Sequence, residues 1–252
     1  MFKTKYRLCE ILGVPLYIDI TFAFLLLVFV TSMGDFGYGL TAALLLAISV
    51  VLHELGHSLT ARAFGYATRD LTISLLGGCA SLIALPRRAS QELVTAIAGP
   101  AVSFILSAIG FVCYATIPFE SLWAAFCFYF LAWTNLWLGA FNLLPGFPLD
   151  GGRIFRSVLR AFLTREKATL VAMWVGRGVA ILIGLSGLHA MVNGGSWGFV
   201  RIMIAWMIWQ EGYREYLMAR MESAWDYRDD YRARVSPPPY GGDGDDVDIT
   251  RN

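Results

Sequence analysis

In the run VVLHELGHSLTARAFG, residues 50–65, two histidines and a glutamate interrupt an otherwise apolar stretch, and His53, Glu54 and His57 form the pattern HExxH. Side chains four residues apart share one face of a helix, so His53 and His57 can each turn a ring nitrogen toward one metal ion, with Glu54 beside them. The chemistry such a trio supports is zinc binding, with a carboxylate placed to take a proton from water. Spacing alone supplies half a site, and the same pattern arises by chance in water-soluble chains. Here it sits in a stretch apolar enough to cross a bilayer, where ionisable groups are unfavourable without a partner or a task. That context selects the metal reading.

Catalytic zinc takes three protein ligands and keeps one position open. The third histidine of the chain, His189, lies near the far end of a later apolar run and is expected to be interfacial or packed rather than a ligand. The better candidate is Asp150, in FNLLPGFPLDGGR at residues 141–153. Pro145 and Pro148 cannot continue a regular helix, and Gly146, Gly151 and Gly152 permit close backbone approach. Broken backbone at membrane depth is tolerated where protein or a wet cavity surrounds it. A segment of this kind is well placed to aim Asp150 at the metal; the competing reading is a turn carrying a solvated aspartate.

The elements that must position these residues follow from solvent. With 57% hydrophobic and 15% charged residues, the chain is too apolar for an ordinary soluble domain. A formal net charge of +1 carries no message about nucleic acid, which is not an expected partner. Six runs have the roughly 20 residues that a bilayer-crossing helix needs: Ile11 to Thr31, Leu40 to Phe64, Leu93 to Ile117, Leu122 to Phe141, Ala168 to Val192 and Trp197 to Leu217. Leu71 to Leu85 is apolar but too short to cross, and Gly77 and Gly78 sit at its centre, which suits two short strands or a re-entrant hairpin. The fold class expected is an all-α membrane protein of about six transmembrane helices, with that hairpin between the second and third. The membrane domain would occupy residues 1–217, and residues 218–252 would be the end of the last helix and a flexible tail, polar and acidic from Trp225 onward.

Charge sets the orientation. Lys3, Lys5 and Arg7 precede the first run, Arg62, Arg69, Arg87 and Arg88 lie between the second and third, and Arg153, Arg156, Arg160, Arg165 and Lys167 lie between the fourth and fifth. The connections around residues 32–38, 118–121 and 193–196 carry neither residue type. Positive residues stay inside, so both termini are expected in the cytoplasm and the protein in the cell membrane. No small-residue cleavage site follows the first run, which reads as an uncleaved span. Cys9, Cys79, Cys113 and Cys127 form no CxxC pair and are expected as free thiols. Asp19 is expected at the interface, and Arg177 is expected to snorkel or to pair with an acid.

HELGH in one span followed by NLLPGFPLDGGR after a later one resembles the site-2 protease family of intramembrane metalloproteases, as do a Gly-Gly hairpin after HExxH and AGPAVSF at Ala98 to Phe104. The likeness covers most of residues 10–217. It implies one zinc ion held by His53, His57 and Asp150, Glu54 as the catalytic base, and Asn142 as a group that binds substrate backbone or steadies the oxyanion. The substrate it implies is a transmembrane protein, such as an anti-sigma factor or a membrane-tethered regulator, cut within the lipid bilayer. Many relatives carry a PDZ or CBS module, and neither is expected here. Competing functions are a membrane-helix-binding homologue without activity and a zinc-binding transporter. Two further expectations concern access: water reaching the site from the cytoplasm along His57, Ser58 and Thr60, and a substrate strand added to a hairpin edge near Ser74 to Leu76 or Ala80 to Leu82.

Overall fold

The computed structural model describes residues 5–20, 22, 26–27, 30–31, 33–74, 77–82, 88–194 and 197–235, of which 74, 77–82 and 226–235 are described by backbone alone. Strands β1 (Lys5–Ile11) and β2 (Val14–Asp19) precede helix α1 (Phe36–Ala63). Strands β3 (Thr68–Ser74) and β4 (Gly77–Leu82) follow it. Then come α2 (Ala89–Thr116), α3 (Leu122–Asn142), the short α4 (Asp150–Leu159), α5 (Arg165–Val192) and α6 (Gly198–Val235). The chain is mostly helical but not all-α, because the four strands form one sheet in the order β1-β2-β3-β4.

The sheet corrects the expected first span. Residues 14–19 do not begin a helix: β2 pairs antiparallel with β1 and parallel with β3. An apolar run does not by itself separate strand from helix. What decides here is alternation, since Val14 and Leu16 are buried while Pro15 and Tyr17 are less so. A parallel β2–β3 pair needs a long crossover, and α1 lies within it. Val14, Leu16, Leu71 and Ile73 from the sheet pack with Phe22 and with Val50 and Leu55 of α1, so the sheet is fixed to the helix that carries HExxH. In the rest of that expected span, Ile20, Phe22, Leu26, Leu27, Val30 and Thr31 are helical, as expected, and the other residues lie outside the described ones.

β3 and β4 pair antiparallel, from Thr68 opposite Leu82 to Ser74 opposite Gly77. β3 is bonded on both sides from Leu71 to Ile73, so the edge just before Ser74 is already taken, and β4 ends the sheet. Residues 75–76 and 83–87 of the expected hairpin lie outside the described residues.

Four described helices, α1, α2, α3 and α5, are long and apolar enough to cross a membrane. Three of them have 28 residues, about 42 Å at 1.5 Å per residue, which exceeds a ~30 Å hydrocarbon core. Large side chains such as Ile48, Ile105, Trp137 and Leu182 face outward, as the surface of a membrane protein requires. The expected sixth span is helical but is not among the four, because Arg201, Glu211, Arg214 and Glu215 interrupt its apolar character. Helix α6 also runs to Val235, past the point where a tail was expected. Residues 218–235 include four Arg, three Ala and two Met, which favour helix, and the Arg do so even where they cannot enter lipid. Residues 236–252 lie outside the described residues.

Candidate metal centre

His53, Glu54 and His57 all lie in the buried part of α1, with 3%, 7% and 4% of their surface exposed. Asp150 is the first residue of α4 and is 7% exposed. An acidic side chain suits the first turn of a helix, where backbone N–H groups point outward. The loop before it is anchored by Phe147 and Leu149, both buried, and Leu149 packs with Ala180 of α5 and with Ala205 and Ile208 of α6. The Phe147–Pro148 peptide bond in this loop is cis. A Cβ on Gly151 would collide with the carbonyl oxygens of Leu143 and Leu144, so only glycine lets α4 start this close to the end of α3.

These elements bring three ligand atoms together. His53 Nε2 and His57 Nε2 each lie 3.1 Å from Asp150 Oδ2 and 3.3 Å from one another. Tetrahedral zinc with bonds of ~2.0–2.1 Å separates its ligands by ~3.3–3.4 Å, so the triangle has the size of one zinc face. The far side of each ring explains its direction. His57 Nδ1 lies 2.7 Å from the carbonyl oxygen of Thr95, which can only accept, so Nδ1 carries the proton and Nε2 presents a lone pair. His53 Nδ1 lies 2.9 Å from Ser103 Oγ, and donation there leaves its Nε2 bare as well. Two imidazole lone pairs and a carboxylate oxygen then converge, an arrangement that calls for a cation.

Helix α2 forms the floor of this centre. A Cβ on Gly99 would fall on His57 Nε2 and close to His53 Nε2, so the imidazoles rest against bare backbone. Ser103 and Thr95 lie one turn to either side of it. Pro100, the next residue, cannot donate to the carbonyl of Ala96, which loosens the turn facing His53 and His57.

Other expected residues lie elsewhere. Asn142 ends α3, and its amide donates to Leu138 O at 2.9 Å, within its own helix. His189 is exposed in the last turn of α5 and contacts Asn193. Arg177 meets aromatic rings rather than a described acid: its guanidinium carbon lies 4.9 Å from Trp174, 4.5 Å from Trp209 and 5.9 Å from Tyr213. Cys9, Cys113 and Cys127 are free thiols.

One cluster was not foreseen. Arg156 of α4, 2% exposed, donates to Glu92 at 2.9 Å from Nε and to Glu215 at 2.8 Å, and stacks on the Phe147 ring. Arg160 donates to the other Glu92 oxygen at 2.7 Å. Burial alone would lower the Arg156 guanidinium, but the Glu92 and Glu215 carboxylates outweigh this and raise it. A signal existed in the sequence. Arg156 and Arg160 are like charges four apart on a helix, which repel unless an acid lies between them.

A mostly helical protein, with four helices long and apolar enough to cross a membrane and a buried His-His-Asp group able to hold a metal, is the class that fold and site define. The sequence profile of peptidase family M50 matches residues 41–126 and 120–185, more than half of the chain, and the chain belongs to that family. The site-2 protease from Methanocaldococcus jannaschii has the same fold, with a TM-score of 0.65 and 32% identity over 84% of this chain and 95% of that one. A zinc metalloprotease from the same organism is 38% identical over 189 residues, 73% of this chain and 54% of its own length. A relative from Synechocystis is 35% identical over 229 residues, 82% of this chain and 59% of its own length. The chain spans about half the length of the curated relatives it matches.

Proposed function

We propose that the protein is an intramembrane zinc metalloprotease that hydrolyses peptide bonds within transmembrane segments of other membrane proteins. The observation that supports this most directly is the convergence of Asp150 Oδ2 from α4 with His53 Nε2 and His57 Nε2, which lie beside Glu54 on a helix long and apolar enough to span a bilayer. When bound, zinc polarises a carbonyl and makes a water molecule more acidic. Glu54 takes the proton from the attacking water and passes it to the departing amine. Thr95 and Ser103 hold the two rings in the tautomer that leaves Nε2 free, and Asp150 supplies the charged ligand. Asn142 serves substrate backbone once its amide turns from Leu138 O. The first half of α6, packed along α5, is a further crossing, and the Lys/Arg distribution puts both termini in the cytoplasm. The family likeness favours a single-pass regulator, such as an anti-sigma factor, as substrate.

The test is Glu54→Gln, purified alongside the wild type and given a single-span substrate in vesicles. Zinc content is expected to stay near one per chain while cleavage falls at least 10²-fold, as loss of a general base requires. Retained turnover would remove Glu54 from the mechanism, and an inactive wild type would favour a homologue that binds helices without cutting them.

A further inference from the structure

Glu92, Thr95, Gly99 and Ser103 occupy positions i, i+3, i+7 and i+11 of α2, so they form one buried row along a single face of that helix. The last three meet the imidazoles, through the Thr95 carbonyl, the bare Gly99 backbone and the Ser103 hydroxyl. Glu92 begins the row and meets α4 instead, holding Arg156 with one carboxylate oxygen and Arg160 with the other. α4 runs back along this row: Asp150 meets the imidazoles at the level of Gly99, and Arg156 meets Glu92. The two stretches match in length, since Asp150 to Arg156 rises ~9 Å and Glu92 to Gly99 rises ~10 Å. Arg156 also grips the chain on the other side of Asp150, because its guanidinium lies over the buried Phe147 ring, 4.9 Å from the centroid.

Resting on the metal reading of the site, we infer that Glu92, with Arg156 and Arg160, forms a positioning lock that sets where Asp150 stands against the two imidazoles. Two sides of the ligand triangle, both 3.1 Å, end on Asp150. The histidines are held from behind by α2, but the Asp150 side chain has no hydrogen bond among the described residues other than those to His53 and His57. Its place therefore depends on where α4 is fixed, and Glu92 fixes α4 to the same helix face that supports the rings. Buried ion pairs add little stability over apolar groups of the same volume, and their best attested use is to fix a register.

The experiment measures zinc affinity by chelator competition, and the visible spectrum after cobalt(II) loading, for the whole chain in detergent. The double variant Glu92→Met with Arg156→Met removes the central pair while keeping volume, and Glu92→Gln is a milder version should the first fold poorly. Either is expected to bind zinc about 10–100-fold more weakly than the wild type, the range seen when a ligand loses its support. The cobalt spectrum is expected to change in the same variants, because it reports the arrangement of the ligands rather than overall stability. Glu222→Gln is the control, since it breaks an ion pair between α5 and α6 that leaves α4 untouched, and is expected to keep the wild-type affinity and spectrum. Wild-type zinc affinity or an unaltered cobalt spectrum in the Glu92 variants overturns the positioning role, as does equal weakening in Glu222→Gln. A wild type that binds no zinc overturns the metal reading itself, so the two failures are distinct.

Discussion

At the scale of single residues, Gly99 tests how the proposed metal ligands are held. A methyl group there would occupy the position of the imidazole nitrogens, so Gly99→Ala must push both rings off the centre. Zinc affinity is expected to fall by about 10–100-fold or more, the range seen when a ligand loses its support. Competition with a chelator measures it. Gly178→Ala is the control, since a Cβ there meets nothing within 4 Å and helical alanine is favoured over glycine. Equal zinc affinity in the two variants would mean that α2 yields and is no floor. His53, His57 and Asp150 were legible in the sequence because ionisable groups are conspicuous in apolar chain, and their spacing maps directly onto a helix face and a proline-broken loop. Gly99, Thr95 and Ser103 were not. Their roles depend on what comes near them: Thr95 acts through its backbone carbonyl and Gly99 through the absence of a side chain.

At the scale of elements, the Arg156 cluster ties α4 to α2 and α6, and α4 begins at the proposed ligand Asp150. A buried ion pair is weak support for stability against an apolar pair of equal size, but removing one partner strands the other charge and costs about 3–5 kcal/mol. Arg156→Met is therefore expected to destabilise the protein by about that much, because Glu92 loses its main partner in the interior. Combining it with Glu92→Met is expected to recover part of the loss. Unfolding in detergent, followed for the single and double variants, reads both. A single variant as stable as the wild type would remove the cluster as the clamp on α4. The helices around this cluster were legible from apolar length, whereas two other features were not. Strand β2 hid within an apolar run long enough for a span, and the polar end of α6 resembled an unstructured tail because charge excludes lipid without excluding helix.

At the scale of the whole molecule, the sheet, the metal centre and the basic connections must be reconciled with one bilayer. The loop between β4 and α2, and the start of α5 at Arg165, belong to the arginine-bearing connections, whereas Tyr38, Glu120 and Gly194 lie at the ends of α1, α2 and α5 that carry no Lys or Arg. The sequence showed this alternation more clearly than it showed the spans, because a charge asymmetry survives an error in where a helix begins. α6 is about 57 Å long at 38 residues, nearly twice the ~30 Å hydrocarbon core, so on the proposed crossing of its first half its charged second half must leave the membrane on one side. On the proposed topology that half is expected in the cytoplasm with Arg165 and Arg88. Glu222, which bonds Arg165 at 3.0 Å, marks where α6 passes the start of α5. Single cysteines at Tyr38, Glu120 and Gly194 are therefore expected to react with an impermeant thiol reagent added outside intact cells. Cysteines at Arg88 and Arg165 are expected to react only after permeabilisation. Labelling at Gly194 from the same side as Arg165 would mean that α5 does not cross, which would strip the Asp150 loop of its neighbours at membrane depth.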